Sequence, residues 1–276
     1  MTAQDKGLVM IWLNDIVDDP ENYKMFYSDR EQQLLAKHAL EMLGDIDCVD
    51  YVVTHTEYPI QQDELYRTLC VGKYREVGEL SDQDGISITE YNSSINECTG
   101  LYWIWKNTSS DYVGLSHYRR FFFRDFDDDL NRLDKQRIKE ILIDKEYDII
   151  LSLKLNLNWS LYRNMQQMVG EKFCDIGYKA FHDAIEKHQP EYLDAYEDMF
   201  KNNRMYSCNM FVTRRDILNA YCEWLFSFLL EAAGNIDVSD GVDGQTRTAG
   251  YFAELMWTVW LAKQGLKIYE LPIMRV

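Results

Sequence analysis

The chain has 276 residues, of which 46% are hydrophobic, enough for one large α/β domain or one domain with an appendage. Its net charge of −17 would repel nucleic acid, which disfavours DNA or RNA binding through a basic surface. The six cysteines form no CxxC pair and lie mostly in apolar surroundings, so they predict free thiols in a reducing, cytoplasmic compartment.

The predicted strands and helices, taken in chain order, indicate an N-terminal extension, residues 1–47, followed by a domain, residues 48–276. In the extension, residues 8–13 resemble a short strand and residues 29–43 have helical spacing. In the domain, apolar β-branched runs predict strands at 48–54, 112–116, 147–152, 207–213 and 267–271. Helices are predicted at 96–107, 134–144, 173–188, 191–200, 215–232 and 250–263, with loops at 81–92 and 238–248. This alternation predicts an α/β domain with a mostly parallel sheet flanked by helices, whose ligand lies at the carboxyl ends of the strands.

A basic cluster follows the strand predicted at 112–116. His117, Arg119 and Arg120 leave the strand together, and guanidinium groups offer paired donors to the oxygens of a diphosphate. The alternative is a solvated basic turn before an aromatic run. A second basic pair, Arg214 and Arg215, begins a predicted helix, where a surface position is favoured.

Three further patterns have both a functional and a structural interpretation. Tyr102, Trp105 and Lys106 fall on adjacent positions of the first predicted helix, either as the floor of a sugar or base pocket or as core packing. Glu254 is the only acid between Arg247 and Leu261, which suits a general base or a glutamate favoured by the helix dipole. The loop at 238–248 could close over a substrate and carry Arg247 with it.

Two weaker signals concern the nucleotide and a metal. Thr54 and His55 end the first strand of the domain, where a nucleotide base often docks. The acidic run Asp125, Asp127, Asp128 and Asp129 resembles a metal-binding DxD motif, although a solvated turn is favoured there.

Taken in order, these motifs resemble a bacterial capsular and exopolysaccharide family, formerly a domain of unknown function and now grouped with galactofuranosyltransferases. The resemblance covers residue 48 to the C-terminus, and its most specific parts are the runs YWxWKN (102–107) and HYRR (117–120). Further matches are VTH (53–55), NMF (209–211), YCEWLF (221–226) and FAE (252–254).

The resemblance implies a GT-A-like fold, UDP-galactofuranose as donor, and an inverting transfer to a hydroxyl of a growing glycan. We predict Glu254 and His117 as catalytic residues. Predicted donor-binding residues are Thr54, His55, Lys106, Arg119, Arg120 and Arg247. Predicted sugar- or acceptor-binding residues are Glu97, Tyr102, Trp105, Asn209 and Met210. No cofactor is predicted, because HYRR stands where a DxD motif would be, but Mn²⁺ or Mg²⁺ stays open.

The predicted partners are a UDP-sugar and a lipid-linked glycan acceptor at the inner face of the plasma membrane, with no nucleic acid. No apolar run is long enough to span a bilayer, so membrane contact would be peripheral. Two other functions remain open. A non-catalytic glycan- or nucleotide-binding subunit would keep the arginines but would not need Glu254. A nucleotide-sugar hydrolase would need a water-activating base but no acceptor groove.

Overall fold

The computed structural model describes residues 46–60, 62–125, 131–242 and 244–275. The strand predicted at 8–13, the helix predicted at 29–43 and the acids Asp127, Asp128 and Asp129 lie outside these residues. The described part is a mixed α/β structure built on one large sheet, as the alternation of strands and helices predicts.

In the described residues this sheet has nine strands, and two further strands form a separate ribbon. The strands of the large sheet are β1 (Cys48–Thr54), β2 (Tyr66–Cys70), β3 (Leu80–Ser81), β4 (Tyr112–His117), β5 (Arg120–Phe122), β6 (Ile149–Ser152), β9 (Phe211–Arg214), β10 (Ile268–Leu271) and β11 (Ile273–Arg275). The ribbon consists of β7 (Leu155–Asn156) and β8 (Arg204–Met205). The sheet order is β10-β6-β9-β4-β1-β2-β3, while β5 pairs with β4 and β11.

The sheet is largely parallel, but β9 near its centre runs antiparallel to its neighbours and β5 pairs antiparallel with β4 and β11. Strands β1, β2, β3 and β4 pair in parallel, as do β6 and β10. Strand β9 runs antiparallel to both β4 and β6. The beginning of β9 therefore lies at the carboxyl ends of its neighbours, together with the residues that precede it. Sequence reasoning places the start of this strand at residue 207, but Cys208 and Asn209 have φ values of +68° and +51°, which extended backbone does not allow.

The helices of the described residues pack against the sheet, and most of them lie close to the predicted positions. They are α1 (Asn92–Ile95), α2 (Cys98–Asn107), α3 (Lys135–Lys139, continued by a π-helical turn Glu140–Asp144), α4 (Leu161–Val169), α5 (Glu171–His188), α6 (Leu193–Lys201), α7 (Arg215–Phe226), α8 (Leu229–Gly234), α9 (Thr248–Ala253) and α10 (Met256–Leu261). The helices predicted at 215–232 and 250–263 are each two helices. The first breaks at Ser227, whose hydroxyl donates to the carbonyl of Trp224 at 2.6 Å.

Both faces of the central strands are buried. In β1, Tyr51 and Val53 belong to the main core, which also holds Leu101 of α2 and Trp257 of α10. Val52 points to the other face and is fully buried. Strands buried on both faces read as continuous apolar runs, which explains why β1 and β4 could be predicted from the sequence. Within the described residues, no helix has the length and apolar character needed to cross a bilayer.

Candidate functional site

A cavity of about 540 Å³ opens at the carboxyl ends of β1 and β4. Thr54 and His55 line it from the end of β1, and His117 lines it from the end of β4. The segment between α1 and α2 contributes Asn96 and Glu97. The remaining walls come from Cys208, ahead of the antiparallel strand β9, and from Thr246, Arg247, Tyr251 and Glu254 around α9. The cavity therefore lies where a largely parallel α/β sheet binds its ligands.

One wall of the cavity is basic. Arg119 is exposed and lies in the tight connection between β4 and β5, and the half-buried Arg120 begins β5. Arg247 adds a third guanidinium, which is oriented by a 2.8 Å hydrogen bond from its Nε to Oδ1 of Asn96. Within the described residues, none of these arginines is paired with a carboxylate at salt-bridge distance. They are free to bind an anion in a protein that is otherwise strongly acidic.

The cavity also contains Glu254 and His117, and both side chains hydrogen-bond to the backbone of one residue, Cys208. The backbone N–H of Cys208 donates to the Glu254 carboxylate, and the carbonyl of Cys208 lies 2.5 Å from Nε2 of His117. A carbonyl oxygen can only accept, so Nε2 of His117 carries the hydrogen. The turn at Cys208 thus fixes the orientation of both side chains.

A second carboxylate, that of Glu97, lines the same cavity and accepts a hydrogen bond from the side chain of Asn209. Asn209 is 1% exposed, and its Nδ2 also approaches Sγ of Cys98 at 3.5 Å. Asn209 and the neighbouring Met210 are buried behind the cavity and do not line it. Their predicted contact with a sugar or an acceptor stays a prediction.

The surroundings of these groups shift their pKa values in a consistent pattern. Burial raises the pKa of Glu254, and the charge of Glu97 raises it further, while the Cys208 amide, His117 and Arg120 oppose the shift. Burial also raises the pKa of Glu97. Burial lowers the pKa of His117, against the opposing effects of the Cys208 carbonyl and Glu254. A carboxylate with a raised pKa in a cavity is the arrangement expected of a general base.

Backbone strain is concentrated around this cavity. Asn96, Cys208 and Asn209 all have positive φ values without being glycine. Such conformations cost free energy and tend to occur at functional sites. Gly250 is needed for a related reason, because a Cβ at this position would lie 1.9 Å from Nδ2 of Asn96. The side chain of Asn96, which hydrogen-bonds to Arg247, therefore occupies the space that a Cβ at residue 250 would need.

Three predicted residues are not brought to the cavity. Helix α2 begins beside it at Glu97, and Lys106 follows nine positions later, about 13 Å along the helix axis. There Tyr102 and Trp105 pack on Phe226, whose ring is stacked on Trp105 at 5.9 Å, and Nζ of Lys106 lies 3.2 Å from the Trp105 ring centroid. Helical spacing showed that these residues share a face but not which end of the helix meets the ligand. These three residues do not line the cavity, and their binding to the donor or the sugar stays a prediction.

The rival basic pair and the described part of the acidic run have structural partners. Arg214 pairs with Asp148 at 2.8 Å, and Arg215 donates to the carbonyl of Ser110 at 2.9 Å. Asp125 pairs with Arg137 at 2.6 Å. One group among the described residues has the geometry to hold a metal ion, namely His182, Asp183 and Glu186 on α5. None of its members lines the cavity, and Asp183 and Glu186 are exposed.

Several cavity residues were not predicted. Asn96, Cys208 and Tyr251 carry no motif by themselves, because each reaches the site only through tertiary structure. Tyr118 could have been found, because it is the second residue of the HYRR run. Its ring lies 5.4 Å from that of His55 and 5.1 Å from that of Tyr58, in a cluster beside the cavity where a planar base could bind.

Comparisons with known proteins agree with this architecture. The apo structure of WbbM, a bifunctional glycosyltransferase, is similar with a TM-score of 0.71 and 26% sequence identity. The similarity covers 83% of this chain and 45% of WbbM, so this chain spans less than half of that protein. The sheet flanked by helices is thus a GT-A-like fold. A search of curated proteins found no match. The family model that matches is described as a domain of unknown function, DUF4422, and it matches residues 50–265. Because that match covers most of the sequence, the chain belongs to the DUF4422 family.

Proposed function

We propose that this chain is a nucleotide-sugar-dependent glycosyltransferase, which transfers galactofuranose from UDP-galactofuranose with inversion onto a growing surface polysaccharide. The observation that carries the proposal is the cavity, where unpaired arginines face a carboxylate of raised pKa at the carboxyl ends of β1 and β4. The similarity to a bifunctional glycosyltransferase supports the reaction class. The donor sugar follows from the resemblance of the YWxWKN and HYRR motifs.

The donor would bind with its base near the end of β1 and its diphosphate at the basic wall. Thr54, His55 and Tyr118 surround the first position, and Arg119, Arg120 and Arg247 surround the second. The hydroxyl of Thr54 donates to the carbonyl of Thr56 at 2.6 Å, which fixes the turn after the strand. The base would therefore meet a preformed surface, and the arginines would stabilise the charge that develops on UDP as it leaves.

The transfer would be a single displacement. The acceptor hydroxyl oxygen forms a bond to the anomeric carbon, while the bond from that carbon to the UDP oxygen breaks. Glu254 takes the proton of the hydroxyl, and the electron pair of the broken bond goes to UDP. His117 donates from Nε2 to the Cys208 carbonyl and so helps to hold the turn whose amide hydrogen-bonds the Glu254 carboxylate, which positions the base.

The acceptor is proposed to be a glycan linked to a lipid at the inner face of the plasma membrane, with the chain acting from the cytoplasm. No cofactor is proposed, and a divalent metal such as Mn²⁺ or Mg²⁺ stays open.

The test is a thermal-shift comparison of UDP, ADP and GDP, followed by UDP-sugars and product analysis with the best donor. We expect UDP to raise the melting temperature more than ADP or GDP. Equal shifts for all three would contradict a uridine pocket at the end of β1. Binding without turnover in the presence of acceptor glycans would favour the non-catalytic subunit, and release of free sugar would favour the hydrolase.

A further inference from the structure

Two stretches of this acidic chain contain no acidic residue. There is no Asp or Glu between Asp148 and Glu171, and none between Asp198 and Asp216, although the chain has 46 acids in total. The fold brings these stretches together, because β7 pairs with β8. Beyond the ribbon, the amides of Leu157 and Leu161 donate to the carbonyls of Asn203 and Asn202 at 2.8 and 2.7 Å. The ribbon and its connection to α4 therefore form a region whose own residues include no Asp or Glu.

The same region exposes large apolar side chains. Leu153, Leu155 and Trp159 are 40%, 44% and 46% exposed. Three such residues within seven positions of one segment are unusual for a surface that meets only water. Tryptophan at such a position has an apolar body and a polar N–H, the combination enriched at membrane–water interfaces.

Cations surround these apolar groups. Lys154, Arg163 and Arg204 are exposed, and in the described part of the chain none has a carboxylate at salt-bridge distance. The guanidinium of Arg163 lies 5.5 Å from the Trp159 ring centroid, and Nζ of Lys154 lies 4.8 Å from that of Tyr206. The nearby acids of the adjoining groove, Asp194 and Asp198, are paired with Lys263 and Lys201, and Glu270 accepts a hydrogen bond from Tyr206.

We propose that the ribbon surface, defined as Leu153, Lys154, Leu155, Trp159, Arg163 and Arg204, docks this chain on an anionic lipid bilayer. Leu153 and Lys154 come directly before β7, which begins at Leu155, and Arg204 is opposite Asn156 in the ribbon. All of these leucine and cationic side chains are exposed, so apolar and charged groups are accessible together at this ribbon. The long cationic side chains can reach lipid phosphates while the leucines and Trp159 enter the interface.

Charge complementarity selects the occupant. A chain of net charge −17 is repelled by an anionic membrane unless it presents a surface where acids are absent and cations are unpaired. The ribbon surface has no acid among its own residues, its cations have no carboxylate at salt-bridge distance in the described part of the chain, and it adds apolar groups. The proposal rests on the proposed function for its biological reason, since a lipid-linked acceptor lies at such a surface. Lipid binding can be measured without any sugar nucleotide, so the two proposals can fail separately.

The test is co-sedimentation of the full chain with phosphatidylcholine vesicles that contain or lack phosphatidylglycerol, at low and high salt. We expect binding to the anionic vesicles, little binding to the neutral ones, and a loss of binding at high salt because exposed charges are screened. Arg163→Ala and Lys154→Ala should each weaken binding about fivefold. Trp159→Ala should weaken it about tenfold, because it removes the largest apolar group.

Matched controls are Lys145→Ala and Val77→Ala, which remove an exposed cation and an exposed apolar side chain elsewhere. Both should bind vesicles like the wild type, and every variant should keep the wild-type melting temperature and the shift produced by UDP. Absence of wild-type binding would overturn the proposal and leave the ribbon surface to a protein partner. Binding that survives the three ribbon variants, or that is equally strong on neutral vesicles, would also overturn it.

Discussion

Glu254→Gln is the substitution that separates a transferase from a binding protein. Glutamine keeps the shape of the side chain, and its Oε1 can still accept from the Cys208 amide, so the turn that holds His117 stays in place. What is lost is the ability to take a proton. General-base catalysis contributes about 10²–10⁴-fold, so kcat should fall by that factor. The affinity for UDP should stay near that of the wild type, because the basic wall does not change.

The pH dependence provides a second, independent measurement. Burial and the charge of Glu97 raise the pKa of Glu254 above its ordinary value of 4.5. The base is active when deprotonated, so kcat/KM should fall as the pH drops through this raised pKa, at a higher pH than an ordinary glutamate would give. Glu97→Gln removes the neighbouring charge and should move this limb to lower pH, whatever its effect on the maximum rate. The exposed Glu223→Gln should change neither rate nor limb.

The assay is transfer from UDP-sugar to acceptor, measured over a range of pH with UDP binding measured in parallel. Wild-type turnover in Glu254→Gln would refute the assignment of the base. Loss of folding would make the residue structural. An acid limb that does not move in Glu97→Gln would show that the two carboxylates are not coupled as the structure indicates.

Three other predictions can be tested with simple variants and conditions. Arg119→Ala and Arg120→Ala should each weaken donor binding or turnover by about 1–3 kcal/mol. The double variant should cost less than the sum if both hold one diphosphate, and wild-type kinetics in both single variants would make the cluster a solvated turn. EDTA should leave substantial activity, because basic residues stand where a DxD motif would be; complete loss restored by Mn²⁺ would contradict this. Asp50 is buried, and burial raises its pKa from 3.8 to about 7. Its protonated form is thus favoured by folding, and the free energy of unfolding should fall by about 1.4 kcal/mol per pH unit as the pH rises between these values. Asp50→Asn should remove this slope in urea unfolding measured from pH 4 to pH 8, and an unchanged slope would count against the assignment.

The environment of Asp50 illustrates what a strand pattern conceals. Its Oδ2 accepts a 2.8 Å hydrogen bond from Ser116, and the neighbouring Gly114 leaves it room, since a Cβ there would lie 2.8 Å from the Asp50 Cγ. In the sequence, Asp50 is simply a polar residue within an apolar strand. Only the pairing of β1 with β4 shows that it is buried against a serine and a glycine.

Local sequence determined most of the regular elements and part of the site. Largely apolar runs specified β1 and β4, since strands buried on both faces are rich in apolar side chains. Because parallel strands end at one edge, the polar residues Thr54 and His117 could be placed together without a structure. The isolated position of Glu254 in a segment predicted to be an apolar helix was likewise enough to make it a candidate.

Tertiary structure decided the orientation of the elements and therefore which candidates meet. The antiparallel direction of β9 brings Cys208 between Glu254 and His117, and strand direction is not encoded in local hydrophobic periodicity. The orientation of α2 brings Glu97 to the cavity and carries Lys106 away from it, because residues on one helical face separate along the axis. The ribbon of β7 and β8 joins distant stretches of the chain, as in the pairing of Leu155 with Met205, fifty positions later. Such contacts between distant residues arise from packing of the whole domain, so they could not be predicted from the local pattern of either stretch.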